Sequence, residues 1–118
     1  MLKEFYGVNI SSKSPEKLAK FYNEKLGVPI LSVDDNSYDG VELGFIKDSP
    51  KIIIWDEYQW GKSSEGSVNF VFRCDNLDDL YKELKDKDVE IEPPITAVWG
   101  GKELKLLDLD GNSILILE

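Results

Sequence analysis

Histidine is missing from this 118-residue chain. That absence excludes Ser–His and Cys–His nucleophile pairs. It also removes the commonest biological metal ligand and the default general base near neutral pH. A transition-metal site would have to rest on carboxylates and a lone thiol. Cysteine occurs once, as Cys74, so no internal disulfide framework is available, and the residue reads as a small buried side chain. No apolar run approaches the roughly 18 residues a membrane span needs, and MLKEFYG has no signal-peptide h-region, so a reducing cytoplasm and no membrane are expected. Positive charge is scarce too: 14 Lys and Arg against 23 Asp and Glu leave a net charge of −9. That balance repels phosphate backbones, which argues against nucleic acid, and it attracts cations.

What is present reads as a folded domain. Hydrophobic residues make up 42% and charged residues 31%, and the length suits one domain, 1–118, rather than two independent cores. FYGVNIS alternates as a strand over 4–11. Ser14-Pro15-Glu16 opens a helix, with Ser at the cap and Pro at the first position. Leu18, Phe21, Tyr22 and Leu26 stripe its face before Gly27. Strands are expected at 30–33, 41–46 and 52–55, separated by the polar turns Asp34-Asp35-Asn36 and Lys47-Asp48-Ser49-Pro50. A polar linker, Glu57 to Ser67, interrupts the pattern. The order then repeats. SVNFVFRC is a strand, and Asp75-Asn76 offers a cap for a helix through LDDLYKELKDK. Strands follow at 89–91, 103–107 and 113–117, the last two joined by Asp110-Gly111-Asn112.

The halves overlay. GVNISSKSPEKLAKFY lies over NFVFRCDNLDDLYKEL, and DSPKIIIWDE over DGNSILILE. The expected fold is α+β, two tandem βαβββ modules (about 1–60 and 66–118) forming one curved mixed sheet with helices on the convex face. Alternation turns Val8, Ile10, Phe70, Leu104 and Leu106 toward the helices. The opposite face then carries Asn9, Trp55, Asn69 and Arg73, with Glu103, Lys105 and Leu115. Such a mixture of apolar surface and a few polar groups suits a ligand pocket. Trp99, followed by two glycines, is expected at its rim. Asn9 and Asn69 are expected in nearly corresponding places, one slot apart.

The repeat order, the segment SPEKLAKFYNEKLG with Val following, and the closing WGGKELKLLDLDGN resemble the vicinal-oxygen-chelate superfamily. Glyoxalase I, extradiol dioxygenases, fosfomycin-resistance transferases and bleomycin-resistance proteins belong to it. The likeness covers essentially the whole chain. DLDGN stands where the family usually shows D-P-D-G-N, with Leu109 replacing the proline. The resemblance implies four metal-ligand slots, and these fall on Gly7, Ile53, Asn69 and Leu115. One amide among four positions cannot offset a cation's dehydration, so no metal and no cofactor are expected.

The implied function is that of the binding branch: a metal-independent, drug-sequestering homodimer whose ligand is aromatic or cationic. Tryptophans and carboxylates suit that task. Two other classes compete with it. One is a lyase, isomerase or dioxygenase-like enzyme with a displaced site, using Glu42, Glu103 or Asp56 as base. The other is a regulatory or protein-interaction module whose pocket is vestigial.

Overall fold

The computed structural model describes residues 1, 3–34, 37–46, 49–62 and 69–118. The expected turn residues 35–36 and 47–48, most of the linker beyond 62 and the first residues of SVNFVFRC lie outside them. The chain divides into two compact units, Met1–Glu65 and Gly66–Glu118. Each has the order βαβββ and forms its own four-stranded mixed sheet.

In the first module, β1 (Gly7–Ser12) pairs parallel with β4 (Lys51–Asp56), and β3 (Ser37–Leu43) runs antiparallel between β4 and β2 (Ile30–Asp34). Helix α1 (Pro15–Lys20) passes directly into a π-helical turn, Phe21–Lys25. The apolar stripe anticipated from spacing forms the core: Leu18, Ala19 and Tyr22 are buried with Ile10, Val41, Leu43 and Ile54. Burying each such side chain stabilises by roughly 1.5–3 kcal/mol, most of it offset by lost chain entropy. The helix start differs in detail from expectation. Ser14 occupies the cap position, yet its hydroxyl caps nothing; its N–H instead donates to Ser12 Oγ at 3.0 Å. Gly27 adopts φ 74°, the left-handed conformation that ends the helix.

Strand β3 ends at Leu43 rather than at Ile46. Gly44 N–H turns back to the Pro29 carbonyl, and Phe45 and Ile46 are solvent-exposed. Their hydrophobicity imitates a strand that the backbone does not continue. The expected linker begins with structure as well: Glu57–Trp60 forms one helical turn, α2, with Asp56 at its N-cap accepting from Tyr58 N–H at 3.0 Å.

In the second module, β5 (Asn69–Arg73) pairs parallel with β8 (Ser113–Leu117), and β7 (Lys102–Leu107) lies between β8 and β6 (Ile95–Thr96). Of the two cap candidates Asp75 and Asn76, Asn76 caps helix α3 (Leu77–Asp86): its Oδ1 accepts from Asp79 N–H at 3.0 Å. Leu77 and Leu84 are fully buried. The strand expected at 89–91 is absent. Val89 and Ile91 are buried, but Val89 N–H closes the helix end by donating to Leu84 O, and Asp88 takes φ 60°. Pro93 and Pro94 follow and lack the N–H a ladder needs, so pairing starts only at Ile95.

Candidate functional site

The face of each sheet turned away from its helix holds the candidate residues, and cross-strand register places them. In the first module Asn9 stands opposite Ile53, and Ile53 opposite Glu42. Trp55 lies one pleat further along, opposite Ser11. Asn9 Oδ1 accepts from Trp55 Nε1 at 3.0 Å, so these two expected residues do meet. Tyr6 hydroxyl donates to Glu42 Oε1 at 2.8 Å, while Lys51 Nζ sits 4.4 Å from the centre of the Tyr6 ring. The hydrogen bond to Glu42 holds the Tyr6 phenol above its usual range, because it would have to break on ionisation.

Trp60, in the segment read as linker, adjoins this face. Its ring stands nearly perpendicular to that of Trp55, with centroids 6.1 Å apart at 77°. Its Nε1 donates to Asp39 Oδ2 at 2.7 Å. The signal for it lay in α2: Asp56 as cap and Trp60 one helical turn on were legible had the segment not been read wholly as linker.

In the second module Val71, Leu115 and Lys105 form one cross-strand row, and Arg73, Leu117 and Glu103 form the next. Asn69 pairs with Ser113 at the far end and is exposed. Trp99 Nε1 donates to Glu103 Oε2 at 3.4 Å, and Lys105 Nζ lies 3.8 Å from Glu103 Oε1. The glycines after Trp99 have separate uses. Gly100 takes φ 97° in a turn closed by its N–H to Ala97 O, and a Cβ on Gly101 would strike the Trp99 ring. The segment expected as a rim is therefore a hydrogen-bonded turn with the indole laid over glycine.

Register agrees with the expected amide offset of one slot. β5 and β8 pair as β1 and β4 do, Asn69 with Ser113 as Gly7 with Lys51. Asn69 thus corresponds to Gly7, and Asn9 corresponds to Val71. On the same basis Leu115 corresponds to Ile53. The four slots of the resemblance are two equivalent pairs, one per module.

These residues do not fit a divalent metal. At Gly7 a Cβ would run into the backbone carbonyl of Lys51, so no ligating side chain can stand there. Ile53 and Leu115 carry no donor, and Asn69 offers one amide oxygen. Among the described residues no group of three or more His, Cys, Asp or Glu is placed to hold an ion. Of the three carboxylates considered as bases, Asp56 caps α2, Glu103 accepts from Trp99, and Glu42 accepts from Tyr6. Cys74 is half-buried, and desolvation raises its thiol pKa, which disfavours a reactive thiolate.

A two-module βαβββ frame with these terminal-turn and helix motifs defines a class, and the family comparison agrees. The Glyoxalase/Bleomycin resistance protein/Dioxygenase superfamily matches residues 7–116, and the chain belongs to it. The uncharacterized protein YetH of Bacillus subtilis is 26% identical over 124 residues, spanning all of both chains. Among solved structures, TnmS3, an antibiotic binding protein from Streptomyces sp. CB03234, superposes with a TM-score of 0.77 at 21% identity, covering 98% of this chain and 95% of that one. A lactoylglutathione lyase from Agrobacterium tumefaciens gives a TM-score of 0.77 at 13% identity, covering 99% and 94%. The two structural likenesses establish fold alone, since a binder and an enzyme score alike. No helix among the described residues is long and apolar enough to cross a membrane.

Proposed function

We propose that this protein binds a small molecule without a metal, in the manner of the antibiotic-sequestering branch of its superfamily, as a single 1–118 glyoxalase-like domain. The observation that carries the reading is the substitution of both slot pairs: one pair is glycine and isoleucine, the other asparagine and leucine, with glycine's site closed to any side chain. The Trp55–Trp60 pair supports an aromatic ligand. Both indole N–H groups are already satisfied, by Asn9 and Asp39, so these residues recognise a ligand through ring surface. The net charge of −9 and the Glu42 carboxylate favour a ligand with positive charge. The proposed binding residues are Asn9, Trp55, Asn69, Arg73, Trp99, Glu103, Lys105 and Leu115, with Trp60 added.

The reading includes a homodimer and a cytoplasmic setting. Exposed Phe5, Phe45 and Ile46 support self-association, and a single free thiol suits a reducing compartment. Sedimentation analysis tests the dimer. The decisive experiment is a titration with a panel of planar cations and neutral aromatics, read by tryptophan fluorescence, together with metal analysis of purified protein after dialysis. Saturable quenching with no stoichiometric metal is expected. Retention of one divalent ion per chain, or metal-stimulated turnover of a glutathione hemithioacetal, would replace this reading with that of an enzyme.

A further inference from the structure

Four features converge on one carboxylate of the first module. Asp39 Oδ1 accepts the backbone N–H of Asp56 at 2.8 Å, and Oδ2 accepts the indole N–H of Trp60 at 2.7 Å. Asp39 N–H is itself fixed by Ser37 Oγ at 3.0 Å. The next residue, Gly40, takes φ 82°, and a Cβ there would lie 3.0 Å from the Trp55 ring. One carboxylate therefore joins the end of β4 to α2, a single helical turn ending at Gly61 (φ 90°), while the neighbouring glycine leaves room for the other indole.

Local forces alone do not hold Trp60 where it stands. One helical turn forms too few internal hydrogen bonds to persist on its own. The Trp60 side chain is largely exposed, so burial does not fix its rotamer. The short bond to Asp39 and the edge contact with Trp55 are what set the perpendicular angle between the rings. A hydrogen bond to an ionised carboxylate is the stronger of the two.

We propose that Asp39 is the positioning residue of the ligand site: it latches α2 so that Trp60 stands as a wall at right angles to Trp55, and a planar ligand is held against that preset corner. The proposal rests on the small-molecule-binding reading above. Asp39 touches no ligand in this scheme; it acts through Trp60. A preset wall spares the ligand the cost of ordering a long side chain, so loosening the latch weakens binding while leaving the sheet intact.

Asp39→Asn isolates the effect. Its remaining carbonyl oxygen can still accept from Asp56 N–H, whereas its amide presents a donor to the Trp60 donor. In ¹⁵N-labelled free protein, the Trp60 indole N–H resonance, assigned by its loss in Trp60→Phe, is expected to move upfield in Asp39→Asn. Its solvent exchange should rise by about ten-fold, as for loss of a hydrogen bond to a charged acceptor. The Trp99 indole resonance should stay in place. An unchanged Trp60 resonance overturns the latch whatever the ligand.

Binding of the planar cation 9-aminoacridine, followed by its own emission, is expected to weaken about ten-fold in Asp39→Asn. That loss should vanish when both proteins carry Trp60→Phe, because the two residues act as one unit. Equal weakening in the Trp60→Phe background overturns the proposal. Wild-type protein that binds neither 9-aminoacridine nor neutral anthracene overturns the reading beneath it, whereas wild-type binding that Asp39→Asn leaves unaltered overturns the proposal alone.

Discussion

The two modules share an element order, a strand register and a helix packed on the same side of the sheet, yet their open faces differ in chemistry. The first presents two indoles, an amide and the Tyr6–Glu42 pair; the second presents Arg73, Lys105 and one indole around Val71, Leu115 and Leu117. Glu42 lies across from Ile53, and Lys105 across from the corresponding Leu115, so equivalent positions carry opposite charge. The helix-facing sides are interchangeable because packing asks only for apolar volume. The open faces answer to no such demand and have diverged. Packing therefore constrains the helix-facing side of each module and leaves the open face free to differ.

The largest test of that comparison is at its most unequal pair. Gly7→Ala puts a Cβ into the Lys51 carbonyl and should destabilise the protein by about 3 kcal/mol or prevent folding. Asn69→Ala, at the equivalent exposed position, should change stability by less than about 0.5 kcal/mol. Comparable denaturant midpoints for the two variants would overturn the claim that Gly7 lacks room for a side chain.

Next comes the turn that closes the second sheet. Asp108 is buried and accepts the N–H groups of Asp110 at 2.9 Å and Asn112 at 2.8 Å through Oδ1, and Asn112 Nδ2 at 2.7 Å through Oδ2. Asp108→Ala leaves these donors unpaired and should cost about 1–3 kcal/mol in urea unfolding. Leu109→Pro, which restores the family's usual residue at an exposed position, should cost far less.

A smaller effect concerns ionisation. The Tyr6 phenol is held above 10.0 chiefly by its bond to Glu42, so Glu42→Gln should bring its ultraviolet titration midpoint down toward that value. The sign follows from linkage. A phenol whose folded pKa is raised lends stability below the unfolded pKa, and that stability is lost as pH rises above about 10. No such change is expected in the second module on Lys105→Gln, which pairs with no phenol.

The smallest effect is at Cys74, which follows Arg73 as Ser12 follows Ser11 in the corresponding strand. Burial raises its thiol pKa, so a disulfide reagent at pH 8 should react with it more slowly than with free cysteine. A faster reaction would mark that strand end as a reactive site and separate the modules further.

Much of the fold was legible from periodicity. Leu18 and Tyr22 at helical spacing, the Asn76 cap and the alternation of Phe70 with Val71 each report a local preference that the tertiary structure keeps. The misreadings arise where hydrophobicity and backbone pairing part company. Phe45 and Ile46 are apolar but lie past the end of β3, and Val89 and Ile91 are buried without a ladder. On the open face, sequence located Asn9 and Trp55 but passed over Asp39 and Tyr6, because their partners are distant along the chain: Tyr6 with Glu42, Asp39 with Trp60.

By itself the sequence determined the module order, the sided helices, the lack of histidine and the residues standing in the family's metal slots, since these depend on residue type and short-range spacing. Only the tertiary structure decided that Gly7 has no room for a side chain and that a single aspartate gathers Asp56 and Trp60. Those facts depend on which strands lie side by side and in what register, and cross-strand pairing joins residues that no local pattern relates.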